Sequence, residues 1–384
     1  MKEPDKKEDF WVKISLWTGI IASVIGIYVF VTGKADIASV IGPFLAPTAT
    51  LIPTPLIPIT PLPPQFPGRI IFDSKTGVPL FSTFVVSSGE AIKTTKINIG
   101  THYSASSDGK RIAFAEVNPS DFEVLVVSDL DGSNRVVLKE GINTFLSGSP
   151  FAVTRPFDIS PNGNLVVLRV AEDSLSVIDI ATKKETSLTI PSHVRIVQFT
   201  ISPDSQSIAF TTDDHKLYTE NLDGTDIHVV ANSVRDNEFP SWSSDSKSIA
   251  FVYKDAESND NIDIVDDSGQ HTILQGMEYV NGPVWSPDGR YLAFTAQKQE
   301  DKSIMLHLWM MNIDGSNLID LAVASLSKDA FNNDRVIWSP DGNWIAFTLV
   351  KSAEDNDLYI INTYTKYKVF IAADAPLYDP QWIH

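Results

Sequence analysis

Short apolar runs recur along the chain, and each follows a turn-forming tetrapeptide. Six segments share the pattern Ser-x-(Asp/Asn)-(Gly/Ser), followed by a run such as Ile-Ala-Phe: residues 106–114, 160–168, 202–210, 243–251, 286–294 and 339–347. Two large residues flank a small one in most of these runs. In a β-strand the large side chains would therefore face one way and the small one the other, which lets a neighbouring sheet approach. The pattern predicts strands that are covered on both faces.

The tetrapeptide itself predicts a tight reversal between two strands. Proline, present at the second position in several copies, presets φ, Asp or Asn hydrogen-bonds the turn backbone, and Gly accepts a positive φ. A second turn follows each run in most copies, at residues 129–132, 221–224, 266–269 and 312–315. One unit is therefore four antiparallel strands, named A to D, with A ending just before the first turn. The spacing of these units, roughly 40 to 50 residues, is typical of propeller blades.

The two ends of the chain indicate how the ring closes. Residues 69–72, 83–86 and 91–96 resemble strands B, C and D of a unit that lacks its own strand A. The chain finishes with residues 379–384, DPQWIH, which resemble a strand A without a following turn. The predicted fold is an all-β propeller of seven blades, closed by pairing the C-terminal strand with the N-terminal blade, so that no sheet edge stays open there. A six-bladed ring with a separate leading hairpin is the alternative.

These repeats resemble the TolB-type propeller repeat, a WD-repeat-like unit whose signature is W-S-P-D-G followed by an aliphatic-Ala-Phe strand. Residues 285–294 and 338–347 match that signature closely, and the resemblance covers about residues 69–384. It implies a ring that binds another protein. This chain departs from the TolB pattern by carrying an apolar N-terminal segment, and it has no room for the additional N-terminal domain of TolB.

Residues 14–33 are twenty consecutive positions without a charge, bounded by Lys13 and Lys34. A helix of ~20 apolar residues crosses a bilayer, so a transmembrane helix is predicted here. Four lysines precede the span and one follows it before Arg69, which predicts a single-pass plasma-membrane protein with a cytoplasmic tail at 1–13 and an extracytoplasmic propeller. An uncleaved signal anchor is favoured over a cleaved signal peptide, whose apolar region would be shorter.

Residues 34–68 form a proline- and threonine-rich spacer between that span and the propeller domain at 69–384. Nine of the 25 residues at 43–67 are proline. Proline fixes φ and removes a hydrogen-bond donor, so the segment is expected to be extended and semi-rigid, holding the domain off the membrane. A docking segment for a proline-reading domain and a glycosylated stalk are the alternatives.

Composition narrows the function classes. The 384 residues carry 48 Asp and Glu against 30 Lys and Arg, a formal net charge of -18, and no cysteine. The acidity argues against nucleic acid as a partner. The absence of cysteine excludes disulfides, thiolate metal sites and a thiol nucleophile. Charges before Arg69 balance, so the propeller carries the whole excess. The only N-x-S/T sequon, at residues 118–120, is blocked by proline, which favours a bacterial source.

No motif predicts a catalytic or cofactor-binding residue. The chain has no G-x-S-x-G, H-E-x-x-H or P-loop sequence, and its histidines are interpreted as turn or solvated residues. Calcium is the one cofactor with candidate ligands, because alternate carboxylates in a turn can converge on a hard cation. The best local set is Asp129, Asp131 and Asn134, and the alternative is that these side chains cap the turn backbone.

The connections between strands B and C, and between D and the next A, vary most in length. They include residues 116–121, 254–261, 297–303 and 351–357 (B–C) and 141–156 and 325–335 (D–A). Long loops on a rigid scaffold are where binding usually resides. We predict that this face binds a basic or amphipathic protein segment, and the alternative is a solvated acidic rim. The predicted contact residues are Glu116, Asp121, Phe145, Phe151, Asp255, Glu257, Asp260, Glu300, Asp301, Phe331, Glu354, Asp355 and Asp357.

Together these features predict a membrane-anchored interaction, sensor or scaffold module of the cell envelope. The alternative from another class is a propeller hydrolase or lyase that acts on envelope sugars or lactones. An inert structural spacer is the third hypothesis.

Overall fold

The computed structural model describes residues 66–74, 82–87, 93–97, 101–120, 122–142, 156–234, 240–257, 259–300, 303–325, 336–352, 355–372 and 380–384. They belong to one compact unit, Gln65–His384. Across these ranges the structure contains no helix with the length and hydrophobicity to cross a membrane. The predicted span at residues 14–33, and most of the spacer, lie outside them.

The regular elements of the described residues are 27 β-strands in six antiparallel sheets. The first sheet has the order β27-β1-β2-β3. Its strands are β1 Arg69–Ser74, β2 Ser82–Ser87, β3 Lys93–Ile97 and β27 Gln381–Ile383. The next three sheets take their strands in chain order: β4 Thr101–Ala105, β5 Arg111–Val117, β6 Glu123–Asp129 and β7 Val136–Glu140; β8 Phe157–Ile159, β9 Leu165–Ala171, β10 Ser174–Asp179 and β11 Glu185–Ser187; β12 Ile196–Ile201, β13 Ser207–Thr212, β14 Lys216–Asn221 and β15 His228–Asn232.

The fifth sheet has seven strands, because one long strand serves two repeat units. It comprises β16 Ser241–Trp242, β17 Ile249–Lys254, β18 Asp260–Asp266, β19 Gly269–Trp285, β20 Tyr291–Glu300, β21 Ser303–Asn312 and β22 Ile319–Ser325. The first part of β19 pairs with β18 and its last part with β20. Strand D of one unit thus continues into strand A of the next without a loop. The sixth sheet comprises β23 Ile337–Trp338, β24 Trp344–Ser352, β25 Asp355–Asn362 and β26 Lys368–Ala372.

The last strand of the chain completes the first sheet, which confirms the predicted closure. β27 pairs antiparallel with β1, and Trp382 lies opposite Ile70. The Trp382 indole donates to the carbonyl of Pro67 (Nε1 to O, 2.7 Å), and its ring packs edge-on against Phe66 at 5.6 Å between centroids. Phe66 and Pro67, at the end of the predicted spacer, therefore contact the domain.

The serine that opens each first turn explains why the tetrapeptide recurs. Ser106 Oγ donates to Asp108 Oδ1 (2.7 Å) and accepts the backbone N–H of Arg111 (3.0 Å). The same two bonds form at every other copy, around Ser160, Ser202, Ser243, Ser286 and Ser339. All six serines are buried, so each hydroxyl satisfies a backbone group that would otherwise lack a partner.

The alternation predicted for the Ile-Ala-Phe runs is confirmed in the packing between sheets. In β5, Ile112 and Phe114 pack towards the first sheet, where they contact Ile71. Ala113 faces the other way, against Phe157 of the third sheet. The apolar clusters of the core lie between neighbouring units rather than at one centre.

Arginines tie the first turns of neighbouring sheets together at two places. Arg69 Nη2 donates to the carbonyl of Gly109 (3.0 Å), and Arg111 Nη1 donates to the carbonyl of Gly163 (2.7 Å). Arg69 and Arg111 hold the same position in their repeats, at the start of strand B. Arg111 follows the turn glycine Gly109 by two residues. At these two places, the residue that starts strand B therefore joins its unit to the neighbouring one by a hydrogen bond.

Where serine replaces the turn glycine, the hydroxyl forms the link instead. Ser205 and Ser246 occupy that position with φ of 61° and 62°, a conformation that non-glycine residues seldom adopt. The Ser205 hydroxyl accepts the backbone N–H of Asn162 (3.1 Å), and the Ser246 hydroxyl accepts that of Asp204 (3.0 Å).

Two of the predicted B–C loops are mostly paired strands, which corrects the sequence analysis. Residues 297–300 pair with 303–306, so only 301–302 separate β20 from β21. β24 extends to Ser352, and Asp355 opposite it already belongs to β25. Neither stretch contains glycine or proline to end a strand, and charged side chains are compatible with a hairpin that extends into solvent.

Candidate functional site

The A strands surround a cavity of about 240 Å³. Its walls are formed by the A strands of almost every unit, because strand A is the innermost strand of each unit. The lining residues are Ala105, Ser107, Asp158, Ile159, Pro161, Ile201, Val284, Val336, Ile337, Pro380, Gln381, Trp382 and Ile383. The site is concave and its lining mixes apolar side chains with polar groups, which makes it a candidate for binding.

The polar groups of this wall are engaged in bonds between neighbouring sheets. Asp158 Oδ1 accepts the hydroxyl of Ser104 (2.5 Å), which in turn accepts the backbone N–H of Ile159 (3.0 Å). Gln381 Oε1 accepts the backbone N–H of Ala105 (2.6 Å). These side chains therefore hold neighbouring A strands together.

Exposed charged side chains lie at the B–C connections. Glu257 is exposed in the 255–259 loop, and Glu300 is exposed at the end of β20. Asp255 of the same loop accepts the backbone N–H groups of Glu257 and Asn259, both at 2.9 Å. Hydrogen bonds from Asn259 outweigh burial and lower the pKa of Asp255. Glu116 pairs with Arg135, so its charge is locally balanced.

Two of the predicted contact residues are buried. Asp260 and Asp357 are each 2% exposed. Asp260 pairs with Lys254 (Oδ1 to Nζ, 3.0 Å) and accepts the backbone N–H of Val280 (3.0 Å). Asp357 accepts the hydroxyl of Tyr359 (3.2 Å). Both carboxylates therefore organise the loop face from within.

One of the remaining members of the predicted set lies at the start of a strand, and the others are not described. Asp355 begins β25. The others lie outside the described residues: Asp121, Phe145, Phe151, Asp301, Phe331 and Glu354.

The three candidate calcium ligands are bonded within their own turn. Asn134 Nδ2 donates to Asp129 Oδ2 (2.6 Å). Asp131 Oδ1 accepts both the hydroxyl and the backbone N–H of Ser133, at 2.6 and 2.9 Å. Those bonds lower the pKa of Asp131. The part of the chain that the structure describes contains no group of three His, Asp or Glu placed to hold a metal ion.

His307 is a buried histidine that the sequence analysis interpreted as a turn or solvated residue. Its Nδ1 lies 2.8 Å from Asp320 Oδ2, its Nε2 lies 3.4 Å from Glu300 Oε1, and its ring stacks on Trp309. The signal for burial was present in the alternation of β21, which places His307 on the same face as Trp309. The interpretation was wrong because a residue in the middle of a strand covered on both faces is buried whichever face it lies on.

Comparison with known proteins places this arrangement in a family. A family model described as the TolB beta propeller domain matches residues 106–331, more than half of the chain. The chain belongs to the TolB β-propeller family. No curated protein matches this TolB-family chain.

Solved structures share the fold of this TolB-family domain at low sequence identity. TolB from Acinetobacter baumannii is 14% identical with a TM-score of 0.50, over 81% of each chain. A candidate 6-phosphogluconolactonase from Bacteroides uniformis is 14% identical with a TM-score of 0.54, over 83% of this chain and 100% of that one. A second, from Bacteroides fragilis, is 13% identical with a TM-score of 0.52, over 83% and 98%. At such identities the likeness shows the fold alone.

Proposed function

We propose that this TolB-family chain is a membrane-anchored, extracytoplasmic interaction module of the cell envelope. Its ring has seven blades, with β19 shared between two of them, and it binds a basic or amphipathic segment of a partner protein. The span at 14–33 and the lysine distribution around it support the anchor and its orientation. Family membership supports a protein partner.

The observation that carries this function is the exposed charge on the loop face. Glu257 and Glu300 are exposed there and add negative potential. A basic or amphipathic segment of a partner complements that potential. The cavity is a separate candidate contact, because its lining includes Ser107 and Pro161 of the first turns, at the opposite strand ends from the B–C connections.

Site-specific photo-cross-linking in intact cells tests this function. A photoreactive amino acid at position 257 or 298, on the loop face, should capture one discrete partner. The same probe at position 131 or 314, in C–D turns, should not. With the probe at position 298, the variant E257Q/E300Q should then reduce capture about three- to tenfold, as expected for two rim charges. D131N/D314N is the matched control, because it removes two exposed acids from the other face.

Equal capture from both faces, or capture unchanged by E257Q/E300Q, would contradict the proposed binding face. Turnover of a panel of lactones and envelope glycans by the purified chain would instead favour the alternative function, a propeller hydrolase or lyase.

Protease added to intact cells should reach residues 69–384 and leave the tail at 1–13 protected. Protection of the propeller would refute the proposed topology.

A further inference from the structure

Strand β19 crosses the loop face as it passes from strand D of one unit to strand A of the next. Met277 lies opposite Asp260, the first residue of β18, and Glu278 lies opposite Gln297, near the end of β20. Asp260 and Gln297 are both at the loop-face ends of their strands. Residues 277–279 therefore form part of the loop face themselves, between the B–C connections of two neighbouring units.

The aromatic side chain at this crossing is exposed. Tyr279 is 51% exposed, whereas the next residue, Val280, is buried. A large ring that faces solvent gains little from the fold, and a partner that covers it removes apolar surface from water. Tyr279 also has a φ of 48°, which an aromatic residue seldom adopts and asparagine adopts more readily. Asparagine is therefore the replacement that removes the ring and suits the backbone.

Three exposed carboxylates accompany this ring, one from each of three adjacent strands or their connections. Glu257 precedes β18, Glu278 lies in β19 and Glu300 ends β20. The exposed Lys298 lies 3.7 Å from Glu300 (Nζ to Oε1) and offsets one of these charges. The sector thus keeps the sign of the whole chain, whose formal net charge is -18. Local and overall potential both favour a cationic ligand.

The combination of a ring and carboxylates limits the kind of cation. A purely apolar partner would bury the carboxylates without pairing them, which costs free energy. A cationic side chain stacks on the ring and pairs with the acids at the same time. Arginine suits this surface better than lysine, because its planar guanidinium stacks on aromatic faces and its five N–H donors form a fork that reaches more than one carboxylate.

We propose that Tyr279, Glu257, Glu278 and Glu300, the Tyr279 patch, bind an arginine side chain of the partner protein. The guanidinium stacks on the Tyr279 ring and donates to the surrounding carboxylates. This inference rests on the proposed function and deepens it, because it assigns the residue type that a basic segment presents at this part of the loop face.

Fluorescence anisotropy with the full chain, purified in a non-ionic detergent, tests the Tyr279 patch. The probe is a labelled octapeptide of alternating glycine and arginine, and its counterparts carry lysine or citrulline, the uncharged isostere of arginine. The arginine peptide should bind, the lysine peptide about two- to fivefold more weakly, and the citrulline peptide at least about tenfold more weakly.

Variants of the patch should divide the contributions of the ring and the charges. Tyr279→Asn should weaken binding of the arginine peptide about two- to fivefold, whereas Tyr279→Phe keeps the ring and should bind it as the wild type does. Glu278→Gln should weaken binding of the arginine and lysine peptides alike, by about two- to fivefold.

Matched controls separate the patch from the general acidity of the chain and from folding. Tyr364→Asn removes a tyrosine that is 69% exposed, and Asp314→Asn removes an exposed acid; both lie in C–D turns, and neither should change peptide binding. All these variants should keep the wild-type melting temperature, because the altered side chains are exposed.

Four results overturn the proposal. They are equal affinity for the arginine and citrulline peptides, a lysine peptide that binds as tightly as the arginine peptide, wild-type binding by Tyr279→Asn, and dimerisation of the chain that Tyr279→Asn abolishes. The last result would make the patch an interface between two copies of this chain.

Photo-cross-linking from position 298 separates this inference from the proposed function. Partner capture that Tyr279→Asn leaves unchanged would refute the Tyr279 patch and keep the loop face as the binding surface. The absence of capture from both loop-face positions, 257 and 298, would refute the proposed function itself, whatever the peptides show.

Discussion

Replacing Trp382 by alanine should open the ring where its two ends meet. The indole is buried, packs against Phe66 and donates to the carbonyl of Pro67 at 2.7 Å. Removing a buried Trp costs ~3–5 kcal/mol, and this range includes the cavity left behind. Loss of the hydrogen bond adds ~1 kcal/mol. The total is a large part of the ~5–15 kcal/mol by which a domain is stable.

Urea unfolding and hydrogen exchange measure this effect. With a denaturant slope of ~3 kcal/mol per molar, a loss of ~4–6 kcal/mol lowers the unfolding midpoint by about 1.3–2 M. Trp382→Phe keeps one aromatic ring but loses the donor and part of the indole volume, so its midpoint should fall by at least about 0.3 M and by less than that of Trp382→Ala. The amides of β1 that pair with β27, around Ile70, should exchange faster in Trp382→Ala.

Trp338→Ala is the control, because that indole is also buried and donates to Val284 of the neighbouring unit (3.0 Å). It should destabilise the domain without selectively exposing β1. Exchange at β1 that stays at the wild-type rate in Trp382→Ala would show that β27 does not hold the ring closed.

Three further predictions concern single contacts. Gly109→Ala should destabilise the domain more than Gly132→Ala in thermal unfolding: both have positive φ, but only at Gly109 would a Cβ lie 2.7 Å from the carbonyl oxygen of His384. Equal melting temperatures would refute the clash. Arg111→Met should lower the free energy of unfolding, measured in urea, by about 1–1.5 kcal/mol, because the hydrogen bond to Gly163 is lost. Lys110→Met removes an exposed ion pair and should lower it by less than about 0.5 kcal/mol. The reverse order would contradict the link. Burial raises the pKa of Glu220 above its ordinary 4.5, so the wild type should lose stability relative to Glu220→Gln as pH rises from 4 to 7. A pH-independent difference between the melting temperatures of the wild type and Glu220→Gln would count against a raised pKa of Glu220.

The repeats carried enough information to predict the strands and their closure, since turn chemistry and alternation are local. The first sheet was predicted from three diverged strands and a C-terminal fragment, and β27 pairs with β1. The link from Arg111 to Gly163 could not be predicted, because it joins residues that only the folded ring brings together. His307 shows the same limit, since its partners Glu300 and Asp320 lie on two neighbouring strands.

The loop-face prediction was limited in another way. Acids near a loop were treated alike, yet Glu257 is exposed whereas Asp260, three residues later, is buried and bonded to Lys254. Composition locates charge along the chain, but only strand register decides which carboxylates reach solvent.

A ring of similar repeats offers an approaching molecule several nearly equivalent rotational settings. β19 removes that ambiguity, because strand D passes directly into strand A there and no D–A loop rises at that sector. This sector therefore differs from the one between β11 and β12, where residues 188–195 connect the two strands. A partner that extends outward from the axis can contact the sector without a D–A loop differently from the others. The ring can therefore be bound in one orientation although its repeats are alike.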